Sequence, residues 1–172
     1  MKLRYFSTAL AALSLTFTSG ALATESQMDD AKQRTLVILK PDAMEQKLAG
    51  VILSRFEAEG FSLVGAKITL LDEPILRQHY AHLVSKPFFG SIVSYMTESP
   101  VFVAVLEGDG AIARAREMIG PTDPAIAPKG TIRGDFGKDK TRNVIHASED
   151  DVAAKIEISR FFEDGELTTA HE

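Results

Sequence analysis

The order of apolar runs and turn signals along this 172-residue chain predicts an α+β fold. Three observations carry the prediction. Thr35–Leu39 and Val101–Leu106 are short, unbroken apolar runs rich in β-branched residues, as in buried strands. Between and after them the apolar spacing turns helical, with glycines and prolines as punctuation. The resulting order is strand, helix, strand, helices, strand, helix, loop, strand, helix. That order contains the split βαβ pattern, a ferredoxin-like four-stranded antiparallel sheet with helices on one face.

Each element has its own signal. Lys40-Pro41-Asp42 breaks the first strand, because proline lacks the amide that a strand or helix interior needs. Leu48, Val51, Ile52 and Phe56 then recur at helical spacing, and Gly60 stops the helix. From Phe61 to Leu71 apolar residues alternate, but the phase slips at Gly65, which predicts a strand with a bulge. Glu73–His82 and Pro87–Met96 read as two short helices, each preceded or opened by a proline. Val101–Leu106 is placed centrally because nothing polar interrupts it. Ile112, Ala115, Arg116 and Ile119 give a helix ended by Gly120. A long loop leads to a brief strand at Val144–His146. Ser148, with Asp151 three residues on, resembles a capping box opening a last helix through Val152, Ile156 and Arg160.

The first residues carry a different signal. Lys2 and Arg4 precede an uncharged stretch from Tyr5 to Thr24 with an apolar centre at Ala9–Phe17. Ala21-Leu22-Ala23 is a small-x-small cleavage pattern, so residues 1–23 are expected to be a Sec signal peptide and the protein exported, periplasmic or secreted. Residues 24–33 are polar and read as a flexible lead-in, and the folded domain as 34–172. The absence of cysteine is compatible with an oxidising compartment. The net charge of −5 disfavours nucleic acid or a membrane surface as partner.

Against that acidic background, Pro128–Asp150 stands out. Lys129, Arg133, Lys138, Lys140 and Arg142 gather there with glycines, Asn143 and His146. Glycines let backbone and cations close on a small anion, and a neutral imidazole is a nucleophile toward a phosphoryl group. A joining loop rarely has this length and charge. The reading is a phosphate site with a phosphate-accepting His146. Any single histidine is more often a satisfied structural residue; His146 differs because it ends a strand, follows the cationic loop and precedes a helix N-terminus. Glu157, on the following helix, is placed to fold back and orient the ring, although a helical glutamate is ordinarily just solvated. Arg116 interrupts an apolar helix face, which suits either a ligand contact or an edge position in water. Lys40 is a further candidate cation, and Thr122 either donates to a phosphate or simply occupies a turn. Phe88 and Phe89 are core residues unless exposed, in which case one is free to stack on a base.

Several ordered blocks now resemble one family, the nucleoside diphosphate kinases, from about Arg34 to Leu167. They are Arg34–Ala43, His79-Tyr80, Lys86–Phe89, Tyr95-Met96, Arg116–Gly120, Thr122–Pro124, Gly130–Phe136 and Arg142–His146. The resemblance implies a ping-pong reaction in which ATP or another nucleoside triphosphate gives its γ-phosphate to His146 and a nucleoside diphosphate collects it. It implies nucleotide binding by Lys40, Tyr80, Phe88, Arg116, Thr122, Arg133 and Asn143. Phe88 would stack on the base, Lys40 and Asn143 would reach the sugar hydroxyls, and Arg116, Thr122 and Arg133 would hold phosphates. Glu157 matches the acidic residue that orients the histidine, Mg²⁺ would ride on the nucleotide, and the subunits would form a homo-tetramer or homo-hexamer. A nucleotide-binding or histidine-phosphate signalling protein on the same fold is the alternative.

The chain departs from the family pattern in three ways. Ala147 stands where the family has a glycine, so a positive φ there would store strain beside the nucleophile. Lys140 and Thr141 replace an aliphatic residue and a glycine, which loosens one side of the base clamp. The leader is the third departure, since family members mostly work in the cytosol.

Overall fold

The computed structural model describes residues 32–169; the expected signal peptide and most of the lead-in lie outside them. The sheet has four antiparallel strands: β1 (Gln33–Leu39), β2 (Ser62–Thr69), β3 (Val101–Gly108) and β4 (Ile145–Ala147). Their order is β2-β3-β1-β4, so the two unbroken apolar runs are the inner strands, as their composition predicts. β1 begins two residues ahead of its apolar run: Gln33 pairs with Gly108, and its side-chain oxygen accepts from Ile112 N at 2.9 Å. The backbone phase slip in β2 is real. Leu63 faces Leu106 and Gly65 faces Val105, leaving Val64 as the extra residue of a bulge. Gly65 leaves room there for the Leu167 side chain of the returning C-terminal segment, which would have to shift to admit a Cβ. That segment is tied down where Thr168 N donates to the Val64 carbonyl at 2.8 Å.

The helices are α1 (Pro41–Glu45), α2 (Ala49–Ala58), α3 (Glu73–His79), α4 (Phe89–Met96), α5 (Ala111–Ile119), α6 (Ile132–Phe136) and α7 (Asp151–Phe161). They cover both faces of the sheet, not one. Val37, Leu39, Ala104 and Leu106 pack with Ile52 and Phe56 of α2 and Ala115 and Ile119 of α5. On the other face Leu36, Ile38, Val103 and Val105 pack with Leu76 of α3, Met96 of α4 and Phe161 of α7. A strand whose consecutive side chains are all apolar needs a partner layer on each side, and β1 is such a strand. No helix of the described residues is long and apolar enough to cross a membrane.

Two expectations about local structure are corrected. Asp150, not Ser148, caps α7, its carboxylate accepting from Ala153 N at 2.8 Å. The buried face of α7 is Ala154, Glu157 and Phe161, while Val152 and Ile156 are exposed. The helix is thus rotated from its apolar-spacing reading, because Glu157 finds polar partners inside and its burial is compensated.

Candidate active site

β4 pairs with β1 through only three residues, Ile145, His146 and Ala147, opposite Leu39, Ile38 and Val37. Strand alternation sends the two flanking side chains into the core and leaves His146 on the opposite side. Ala147 lies in this ladder and is not among the described non-glycine residues with positive φ, which are Lys47 and Val144. The feared strain is therefore absent at Ala147. It sits at Val144, with φ 63, and Ile145 N closes the tight turn onto the Asn143 carbonyl at 2.8 Å.

The ring of His146 has a defined orientation. Its Nε2 lies 3.1 Å from Glu157 Oε2, and Ser148 Oγ donates to the same oxygen at 2.8 Å. A carboxylate only accepts, so Nε2 carries the ring proton and Nδ1 keeps a free lone pair. Ser148 is itself fixed on β1, accepting from Leu36 N at 3.1 Å. Burial pushes the Glu157 pKa up, but the hydrogen bond and charge of His146, with His79 and Ser148, outweigh it and leave the carboxyl below its ordinary value.

His79, at the end of α3, backs the nucleophile, with ring centroids 4.5 Å apart in an edge-to-face arrangement. Arg160 Nη1 approaches His79 Nδ1 at 3.3 Å, so that nitrogen accepts. Burial first, and then His146, lower the His79 pKa to about 3, so this ring is neutral. His79, His146 and Glu157 offer ligand atoms within 4.8 Å of one another. Arg160 beside His79 opposes a cation there, and the arrangement suits an oriented nucleophile better than a metal centre.

Two adjoining cavities, of about 540 and 420 Å³, meet at this ring and share Tyr80, Thr122, Arg133 and His146. The larger adds Lys40, Phe88 and Asn143; the smaller adds Arg116 and Glu157. Every site residue expected from the sequence thus borders one continuous cleft. Phe88 is 52% exposed at its rim, as a stacking residue requires. Arg116 projects from α5 as an exposed cation, which explains its place within an apolar spacing.

The loop that bears Arg133 is pinned from outside. Arg55 of α2 pairs with Asp135 at 2.8 Å and lies over the Phe136 ring, and Thr131 Oγ1 caps α6 by accepting from Gly134 N. Gly134 admits no Cβ, which would collide with the Pro128 carbonyl. Arg133 spends two donors on the Gly120 and Ile145 carbonyls, both at 2.9 Å, while its buried Nε has no partner. Burial, then Arg116, lowers its pKa to about 10. Lys40 donates to Asn143 Oδ1 at 2.7 Å, and burial followed by Arg133 lowers its pKa to about 8. A cation whose pKa is lowered by burial and by a neighbouring cation is relieved by an incoming anion. Burial, then Glu157, raises the Tyr80 pKa, so its hydroxyl stays protonated as a donor.

Sequence reading missed Ser148, His79, Arg160 and Asp42 as parts of this site. Ser148 had looked like a helix cap and Asp42 like part of a strand break. His146 and Ser148 are two positions apart, with only Ala147 between them, which places both on one face of an extended strand, and that spacing was the available signal.

Fold and site together define a class: a three-layered α+β domain whose cation-lined cleft ends on an oriented imidazole, the geometry of a histidine-based phosphotransferase. Comparison with known proteins agrees and is more specific. The family model described as nucleoside diphosphate kinase matches residues 33–167. A relative of that name from Methanosphaera stadtmanae is 47% identical over 136 residues, covering 79% of this chain and 90% of the relative. One from Haloquadratum walsbyi is 50% identical over 139 residues, covering 80% and 88%. The solved structure of a halophilic nucleoside diphosphate kinase from Halobacterium salinarum in complex with CDP matches with TM-score 0.80 and 43% identity over 82% of this chain and 94% of that one. The Aquifex aeolicus nucleoside diphosphate kinase matches with TM-score 0.76 and 43% identity, over 80% and 100%. The chain belongs to the nucleoside diphosphate kinase family.

Proposed function

We propose that this chain is a nucleoside diphosphate kinase that carries the phosphoryl group on Nδ1 of His146. The observation that carries this reading is the Ser148–Glu157–His146 chain, which protonates Nε2 and leaves Nδ1 as the free nucleophile beside the cationic cleft. The Nδ1 lone pair attacks the γ-phosphorus, the bond to the β–γ bridging oxygen breaks, and the diphosphate leaves with that electron pair. The phosphorylated ring keeps its Nε2 proton, and the Glu157 carboxylate balances the positive charge. A second nucleoside diphosphate takes the group by the reverse displacement.

Arg116, Thr122 and Arg133 hold the phosphates, Lys40 and Asn143 reach the sugar hydroxyls, and Phe88 stacks on the base, with Tyr80 lining the cleft between. The relative from Halobacterium salinarum, solved with CDP, supports a nucleotide as ligand. Mg²⁺ enters as part of the nucleotide substrate: of the two glutamates lining the smaller cavity, Glu157 is already bonded to His146 and Ser148, and Glu149 alone is no acidic cage. Assembly as a tetramer or hexamer uses the edge strand β2, which with its flank exposes Leu63, Ile68 and Leu70. Export by the leader remains part of this proposal, against a cytosolic location like most of the family. N-terminal sequencing of protein from the cell envelope is expected to start at Thr24; an intact Met1 on cytosolic protein would overturn export alone.

The activity is tested by incubating the protein with γ-labelled ATP and then a diphosphate. The expected result is an acid-labile phosphate on the wild type that transfers to the diphosphate, and none on a folded His146→Asn variant. Exchange retained in that variant would remove His146 from the reaction.

A further inference from the structure

Of the two described non-glycine residues with positive φ, Val144 lies two positions before His146. Val144 is β-branched and buried, yet its φ is 63, a region such residues rarely adopt. The tight turn it centres sends Asn143 toward Lys40 on one side and starts β4, with His146, on the other. A left-handed valine persists only where its surroundings hold it. Both of its backbone groups are held by one short segment 100 residues away in sequence. Its carbonyl accepts from Lys40 N at 2.9 Å, and its amide donates to Asp42 Oδ2 at 3.1 Å. The first is a backbone contact; the second depends on a side chain.

Asp42 is 5% exposed and is fixed in turn. Its Oδ1 accepts from the Tyr95 hydroxyl at 2.5 Å and from Ala43 N at 3.1 Å. Arg142 lies over the Tyr95 ring, 4.7 Å from its centroid, and forks onto Glu98 from outside. The Tyr95 pKa is raised, by burial first and then by Asp42, so its hydroxyl remains a donor. Asp42 does not touch the cleft's reacting nitrogen, and a helix-opening aspartate needs no partner so far away in sequence.

We propose that Asp42 is a positioning residue: its carboxylate holds Val144 in the left-handed turn and thereby sets the place of Asn143 and the aim of His146 Nδ1. This rests on the transfer through His146 given above. Loss of the acceptor lets the turn relax to an ordinary negative φ, which turns the backbone on both sides of it. Small misplacement of a nucleophile lowers its rate steeply.

The test measures single-turnover phosphorylation of His146 at saturating ATP, with melting temperature and the downfield proton resonance of His146 Nε2–H read on the same samples. Asp42→Ala is expected to fold, to lose or shift that resonance, and to be phosphorylated at least about tenfold more slowly. Asp42→Ser, too short to reach Val144, replaces it if the alanine variant does not fold. Asp42→Asn keeps an acceptor for Val144 N and turns its amide to the Tyr95 oxygen, so its rate is expected to stay within about threefold of wild type. Val64→Ala, a buried variant on β2, the sheet edge opposite β4, and in the apolar layer that does not contain Val144, controls for lost stability and is expected to keep both rate and resonance. A clamp-breaking variant that is folded, with wild-type rate and resonance, would overturn the proposal. So would a rate that falls equally in Val64→Ala, or an Asp42→Asn variant as slow as Asp42→Ala. Wild-type protein that takes no label sinks the transfer reading instead, which separates the two failures.

Discussion

Replacing Glu157 by Gln isolates charge from shape at the nucleophile. The amide oxygen of Gln can still accept from His146 Nε2 and Ser148 Oγ, now 3.1 and 2.8 Å from one carboxylate oxygen, so the tautomer is kept. What disappears is the negative charge facing a ring that becomes cationic as Nδ1 bonds phosphorus. A hydrogen bond to a charged group contributes about 1.5–3 kcal/mol. Since about 1.4 kcal/mol is tenfold in rate, phosphorylation slows by roughly ten- to a hundredfold. Quenched-flow labelling with γ-labelled ATP measures the rate, and calorimetric titration measures nucleotide affinity. Affinity is expected to change less than the rate, because Glu157 bonds Nε2 and Ser148 and answers a charge that appears only as Nδ1 takes the phosphoryl group. Acid sensitivity supplies a second readout. The folded pKa of Glu157 is depressed, so its stabilisation is present above the unfolded value and lost as pH falls through the folded one. Wild type therefore loses more melting temperature between neutral pH and pH below about 4 than Glu157→Gln does. A folded Glu157→Gln variant that phosphorylates at the wild-type rate would refute the reasoning.

Three further outcomes follow from the geometry. Ala147→Gly is expected to cost about 0.5–1 kcal/mol in denaturant midpoint with no kinetic gain, because the native backbone there is ordinary strand; a faster variant would contradict this. Lys40, with a folded pKa of about 8 against 10.5, takes up a proton when a phosphate anion binds near pH 8, so binding heats should vary with buffer ionisation enthalpy. Affinity falls as pH rises through about 8, while this group's contribution to the apo protein's stability rises up to its unfolded value; heats independent of buffer would exclude the linkage. Phe88→Ala is expected to weaken nucleotide binding by about 1–3 kcal/mol for every base, with modest differences among bases, and a loss confined to one base would require a hydrogen-bonding pocket instead.

What the sequence revealed and what it hid divide along physical lines. β1 and β3 were legible because unbroken apolar runs with β-branched residues admit few other structures, and the Gly65 phase slip marked the bulge. The residues bordering the cleft were legible because their side chains must be cationic, aromatic or nucleophilic whatever holds them. Most of the supports were not. Glu157 was expected beside the ring from its place on the following helix and from the family resemblance, but no helical periodicity encodes its meeting with His146 and Ser148. Asp42 bonds the Val144 amide across 102 residues of sequence, so its role exists only once the sheet has formed. The second helical layer was hidden for a simpler reason: α3 and α4 are too short for their spacing to say which face they cover.

The strand order sets the two borders of this sheet apart. β4, at one border, bears His146, and β2, at the other, exposes Leu63 and Ile68. Two full strands separate them. The β2 surface can therefore change in sequence without disturbing the turn and strand that carry His146, and the β4 border can be retuned without altering the surface that β2 presents.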